Sequence, residues 1–327
     1  MRETRDPSLS DPLARGGNVV RWDVDDRPAS LYTRGYVAAM WLNRDKQAFE
    51  GAEQTLATAR EKQRVGDRPP TALTRLRTPV TSTDPGGLRV WIVRPRRRRP
   101  VARVVYLHGG GYVHPLTADY WRLLRALAGS PAEVVVPAYP LAPGATVDDV
   151  LPRLVDLVVQ YERDDPGLPT ILMGDSAGGA LALAVGQRLR AGSGPAPAAV
   201  VALCPWLDAT LEGDAVRHLE TADPMLAESG LRAAGRWWAG SRSPSDELVS
   251  PLHGELRGLP PLEVFIGDHD ILRPAVDALA LRAEREGVAL RVREVPTMFH
   301  VWMTRLIPEG RRTRRELAVL VRSYAAT

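Results

Sequence analysis

The chain has a single cysteine, Cys204, among 327 residues. No intrachain disulfide can form, which excludes a disulfide-stapled secreted scaffold. This usage agrees with a reducing, cytoplasmic setting, and Cys204, at the end of an apolar run, is expected to be an inert buried thiol. Lysine is almost absent too. Lys46 and Lys62 are the only two, so nearly all positive charge is carried by arginine. No stretch is apolar and long enough to cross a bilayer, so no stable membrane anchor is expected. The segment Met1 to Pro12 lacks the apolar centre of a secretory signal. No internal repeat and no long low-complexity segment occurs.

What is present is an ordinary globular composition: 44% hydrophobic residues, 25% charged residues and a formal net charge of +4. The length suits one elaborated α/β domain or two smaller ones. The densest cationic runs are Arg94 to Arg99 and Arg311 to Arg315. They lack interleaved aromatics, zinc-ligand spacing and any RNA-binding signature. They read as a solvated loop and a solvated helix face, and no nucleic-acid partner is expected.

The C-terminal four-fifths of the chain alternates strand and helix patterns. Strands are expected at Leu88 to Arg94, Arg103 to Leu107, Glu133 to Ala138, Thr170 to Met173, Ala199 to Leu203, Leu262 to Ile266 and Leu290 to Val295. Helices are expected at Asp119 to Ala128, Val147 to Tyr161, Ala180 to Arg190, Pro274 to Glu286 and Pro308 to Tyr324. This alternation predicts an α/β fold with a mostly parallel sheet between helices. Two stretches break it. Residues 1–70 read as helical from Leu31 to Arg64, with no strand. Residues 205–250 are an insertion with a helix at Ala227 to Trp238. Both are expected to form a helical cap over a pocket, leaving 71–204 and 251–327 as the two parts of the core. Six aromatic residues (Trp41, Tyr112, Trp206, Trp237, Trp238 and Trp302) are candidate pocket walls, with core packing as the alternative.

Ser176 lies in Gly174-Asp175-Ser176-Ala177-Gly178-Gly179, the only G-x-S-x-G of the chain. An apolar strand precedes it and a helix follows. A serine on so sharp a strand-to-helix turn is a nucleophile elbow, and the small neighbours are what such a turn requires. Acyl transfer by serine also needs a base, an acid that orients the base, and donors for the oxyanion. Four histidines follow Ser176. His300 comes by a short loop after the last strand, at the sheet edge that the elbow shares, where open α/β sheets bind ligands. His218 and His253 fall in or beside the insertion, and His269 sits next to the acid candidates. Those candidates are Asp268 and Asp270, in Gly267-Asp268-His269-Asp270-Ile271-Leu272. His108-Gly109-Gly110-Gly111-Tyr112 follows another strand and offers backbone N–H groups unscreened by side chains. The oxyanion donors are assigned to Gly109, Gly110 and Ala177, with His108 bracing the loop.

At this point the chain is similar to the hormone-sensitive-lipase-like family of α/β-hydrolases (bacterial esterase family IV), from about Val104 to the C-terminus. The similarity rests on Tyr106 to Gly111, Tyr139-Pro140-Leu141-Ala142-Pro143, Gly174 to Gly179, Cys204-Pro205-Trp206-Leu207-Asp208, Ser250-Pro251-Leu252 and Leu259-Pro260-Pro261. The family's acid lies in a D-x-L pattern, which Asp270-Ile271-Leu272 matches and Asp268 does not. The family also builds its cap from the N-terminal segment and an insertion at the place found above. Gly144 stands where the family commonly has glutamate, and Val301-Trp302 where it commonly has Gly-Phe. The resemblance implies a serine carboxylesterase with the triad Ser176, His300 and Asp270. It would act on a small-molecule ester or lactone with an apolar acyl or alcohol group, without metal or organic cofactor. Acyl transfer or ring closure through the same acyl-enzyme is the alternative. A purely binding role, as in plant gibberellin receptors that resemble this family but lack the histidine, is disfavoured by His300. A homo-oligomer is compatible with all of this.

Overall fold

The computed structural model describes residues 19–326. The segment Met1 to Pro12 and the rest of residues 1–18 lie outside the described residues. Nine strands form one sheet: β1 (Val20–Val24), β2 (Val80–Thr83), β3 (Val90–Val93), β4 (Ala102–Leu107), β5 (Ala132–Pro137), β6 (Thr170–Asp175), β7 (Ala199–Leu203), β8 (Leu262–Gly267) and β9 (Leu290–Val295). Their order is β1-β9-β8-β7-β6-β4-β5-β3-β2. All neighbours run parallel except β2–β3 and β3–β5. Every residue of β4 to β9 is buried. Mostly apolar strands suit a sheet covered on both faces by helices, and buried charges among them are paired, Arg293 with Glu263 and Arg103 with Glu133.

β1 corrects the expectation that residues 1–70 hold no strand. It pairs in parallel with β9, Val20 opposite Leu290. Its sequence, Val-Arg-Trp-Asp-Val, puts Arg21 and Asp23 on one face, where Asp23 accepts from Arg291 of β9 at 2.7 Å. β2 was missed because Val-Thr-Ser-Thr is short, polar and mostly exposed at the opposite edge.

The helices are α1 (Leu31–Leu42), α2 (Ala52–Val65), α3 (Ala72–Arg77), α4 (Tyr120–Ala128), α5 (Val147–Asp164), α6 (Ala177–Ala191), α7 (Asp214–Glu220), α8 (Glu228–Ala239), α9 (Arg273–Glu286) and α10 (Pro308–Tyr324). α6 is Ala- and Gly-rich and buried over its first ten residues, which lets its backbone lie close to β6 and β7. Above the C-terminal strand ends, α2 packs on α8, and the 3-10 turn Asp45–Phe49 lies against both. The approach is close: a Cβ on Gly230 would stand 2.0 Å from the Phe49 carbonyl oxygen. Segments distant in sequence thus form one roof. The run Arg311 to Arg315 is only partly solvated. Arg314 points inward and donates to the carbonyls of Met303 (2.5 Å) and Arg305 (2.9 Å), closing the turn before α10.

Candidate active site

Ser176 occupies the tight turn between β6 and α6 with φ +54° and ψ −124°. That conformation is strained for a residue with a side chain and persists only where the surroundings enforce it. Here the backbone enforces it. Ser176 N–H donates to Leu203 O (2.8 Å) at the end of β7, and its carbonyl accepts from Gly179, Ala180 and Trp206 N–H at 3.0, 3.1 and 3.0 Å. The turn presses on the neighbouring strand: a Cβ on Gly178 would lie 2.0 Å from Leu107 O. The hydroxyl, bonded to no other described group, faces a cavity of about 250 Å³ that His300 also lines.

His300 Nδ1 is 2.8 Å from Asp270 Oδ2, and both side chains are buried. Burial pushes the His300 pKa down, but Asp270, Asp223 and Asp175 outweigh it and leave the imidazole more basic than usual. Nδ1 is engaged by the carboxylate, so Nε2 is the nitrogen left to exchange protons. Asp270 is itself held by the N–H of Leu272 (3.0 Å). Asp268 instead accepts from Thr297 N–H (2.5 Å) and fastens the loop before His300. His269 is half-exposed beside Asp268. His218 and His253 are exposed, the latter 3.7 Å from Asp208.

Asp223 was not singled out in the sequence. It is completely buried. Its Oδ2 accepts from Ile271 N–H (3.0 Å), and its Oδ1 from Met225 (2.7 Å) and Leu226 (2.9 Å). One carboxylate therefore joins the 205–250 insertion to the loop that carries Asp270. Burial, with Asp270 adding to it, pushes its pKa up to about 6. Sγ of Cys204 accepts Val301 N–H (3.3 Å) in the same region. Ligand atoms of Cys204, Asp270 and His300 lie within 4.8 Å of one another. Burial and the nearby carboxylate push the thiol well above its usual range, and a thiol so placed is a poor metal ligand. The cluster is better suited to orienting the imidazole.

The glycine loop corrects one assignment. Gly109 N–H is already committed, to Asp175 Oδ1 (3.0 Å) and Tyr120 Oη (3.1 Å). Asp175 also accepts from Tyr106 (2.8 Å) and Tyr120 (2.7 Å), so it pins the loop to the strand that precedes the serine. Gly110 and Gly111, with φ of +108° and +62°, carry N–H groups that donate to no other described group at the cavity wall. Ala177, as the first residue of α6, has no intrahelical acceptor for its own. Gly110, Gly111 and Ala177 are thus the uncommitted donors. His108 braces the loop as expected. Its ring stacks on Tyr139 at 4.4 Å, its Nδ1 meets Gly109 O at 2.8 Å, and Tyr139 Oη donates to its carbonyl.

The aromatic wall is the second correction. Tyr112, Trp206, Trp237, Trp238 and Trp302 do not line the Ser176 cavity. Tyr112 stacks between Trp238 (4.3 Å) and Trp206 (5.3 Å), so the three rings bury their faces on one another. Trp302 is buried and donates to Thr313 of α10 (3.0 Å). Trp237 packs at the edge of the core, and Trp41 is exposed. The cavity is instead walled by Phe49, Tyr120, Met225, Leu226, Leu231 and Val301, with polar Lys62, His114, Thr304 and Arg305. Phe49, Leu226 and Leu231 were apolar residues without a motif, so nothing in the sequence marked them.

A nucleophile elbow, a carboxylate-held histidine and a glycine loop on one parallel sheet define a known architecture, and the model of the alpha/beta hydrolase fold family matches residues 104–304. The chain belongs to that family. It is 34% identical over 227 residues to an acetyl-hydrolase of Streptomyces hygroscopicus, covering 67% of this chain and 75% of that one. It is 32% identical over 209 residues to a triacylglycerol lipase of Mycobacterium tuberculosis, covering 63% of this chain but only 43% of that protein. Among solved structures, an esterase of the bacterial hormone-sensitive lipase family superposes with a TM-score of 0.79 at 26% identity, covering 91% of this chain and all of that one. The resemblance read from the motifs is borne out.

Proposed function

We propose that this α/β-hydrolase is a serine carboxylesterase that cleaves small to medium esters or lactones through an acyl-enzyme. The observation that carries the reading is the His300–Asp270 pair opening on the same cavity as a strained, unengaged Ser176. In this mechanism His300 Nε2 takes the Ser176 proton as Oγ attacks the acyl carbon. The imidazolium, stabilised by Asp270, then protonates the departing alcohol. Water, activated by the same nitrogen, releases the acid. Gly110, Gly111 and Ala177 N–H groups receive the oxyanion, each worth about 3 kcal/mol in the transition state. The roof of α1, α2, α7 and α8 acts as the cap and sets which acyl group is accepted. The chemistry calls on no metal or organic cofactor, and the partner is a small-molecule ester. The names of the relatives point the same way: acetyl-hydrolase, lipase and esterase.

Ser176→Ala tests this reading. Turnover of p-nitrophenyl butyrate is expected to fall by about 10⁴-fold or more. A variant that keeps close to the native rate overturns the mechanism.

A further inference from the structure

Lys62, one of only two lysines, stands on α2 and lines the Ser176 cavity half-buried. It makes no hydrogen bond or ion pair with any described residue. Its own helix is fixed over the glycine loop by the next residue, Gln63, whose amide donates to Val113 O (2.7 Å) and Ala142 O (2.8 Å). Two more residues of the cavity wall each have a nitrogen without a partner. His114 is buried, with Nε2 unpaired. Arg305 has an unpaired, buried Nε while its Nη1 holds Asp119 at 3.0 Å.

The acidic groups around the cavity form no hydrogen bond or ion pair with Lys62, His114 Nε2 or Arg305 Nε. Asp119 is taken by Arg305 and stands 3.6 Å from Arg122. Asp175 is consumed by Tyr106, Tyr120 and Gly109. Asp45 is exposed at the rim, and Glu61, beside Lys62 on α2, is exposed. Burial lowers the Lys62 pKa, with Arg305 reinforcing it and the charge of exposed Glu61 only partly offsetting it. Burial and Lys62 together push His114 down to about 3, so it is a neutral hydrogen-bonding imidazole at physiological pH. A wholly apolar ester would seal these groups from water and leave them unpaired, which costs binding. A carboxylate would satisfy them.

We infer that the preferred substrate is an ester carrying a carboxylate, bound by Lys62 with His114 and Arg305 beside it. This rests on the esterase reading and replaces the apolar substrate expected from the tryptophans. Two matched pairs test it at low salt. One places the charge on the acyl side: the 4-nitrophenyl monoester of glutaric acid against 4-nitrophenyl pentanoate. The other places it on the alcohol side: 3-acetoxybenzoate against 3-acetoxybenzamide. In at least one pair the anionic ester is expected to have a kcat/KM about tenfold above its neutral partner, a ratio that shrinks as salt is added. Lys62→Met is expected to reduce that ratio about tenfold. A preference for the neutral ester in both pairs, or a ratio that Lys62→Met leaves unchanged, overturns the inference. The unmodified protein gives the first of these readouts, so a misfolded variant does not shield the proposal. If none of the esters is turned over and Ser176 fails to label with a fluorophosphonate, the esterase reading falls. If Ser176 labels and the neutral esters win, only the anionic preference falls.

Discussion

The floor and the roof of the cavity are built by different means. The floor consists of Ser176, the glycine loop and His300, set at the ends of β6, β4 and β9, and each is tied to the sheet: Ser176 through backbone hydrogen bonds, the glycine loop through Asp175 and the His300 loop through Asp268. The roof is made of α2, α8 and the 3-10 turn between α1 and α2, helical segments that pack on one another outside the sheet. These ties leave room only for small residues at fixed places, Gly109 and Gly178 among them. The lining of the roof can change without disturbing the sheet. In the proposed reaction the floor carries the chemistry and the roof sets the selectivity.

The largest effect that tests this division belongs to the floor. Asp270→Asn is expected to lower kcat about 10⁴-fold, because the imidazole loses its tautomer and its counter-charge. The sign of the accompanying pH effect is fixed. His300 must be neutral to act as base, and its pKa is raised by Asp270 against the opposing effect of burial. The native acid limb should therefore lie above the ordinary imidazole range, and in the variant it should move to lower pH. A limb that stays put would remove Asp270 from the site. Trp238→Ala comes next. Losing the ring that stacks on Tyr112 is expected to cost about 4 kcal/mol in denaturant unfolding. The ratio of activity on acetate and butyrate esters should not change, and a change would return the tryptophan to the pocket wall.

Asp223 is the link between the two parts. Asp223→Ala leaves Ile271, Met225 and Leu226 N–H without their acceptor, at a cost on the order of 2 kcal/mol in stability. Activity is expected to fall about tenfold as the acid loop loosens. Asp223→Asn removes the charge and keeps one of the two accepting oxygens, so it should lose less activity than the alanine variant, with the acid limb displaced to lower pH. Equal losses in both variants would contradict a positioning role. The smallest effect belongs to the roof alone. Leu231→Ala widens the cavity by a few carbons and is expected to shift preference toward longer acyl chains by about 1–2 kcal/mol in relative kcat/KM.

The floor was legible because its constraints are local. Ser176 needs small neighbours within a few residues, and the glycine loop needs consecutive glycines beside a strand. The choice of Asp270 needed the family's D-x-L pattern, since both carboxylates fit the same turn. Gly109 misled because its N–H is consumed by Asp175, a contact spanning 66 positions that no short motif encodes. The tryptophans misled because burial in a core and burial in a pocket leave the same mark on composition. β1 went unread because it is short and carries Arg21 and Asp23 among five residues, and its pairing partner β9 lies 270 positions away in the chain, Val20 opposite Leu290. Asp223 and Lys62 carry no motif at all. Their meaning comes from what the fold brings near them.

Asp175 precedes the nucleophile in the chain, yet its carboxylate is spent on the opposite wall, on Tyr106, Tyr120 and Gly109. The spelling of the elbow therefore also sets the shape of the loop across from it. Tyr106, Gly109, Tyr120 and Asp175 thus act as one unit, and a change at Asp175 reaches both walls. Lys62 is under no such bond, so a different side chain there alters the charge of the cavity and leaves the elbow as it is.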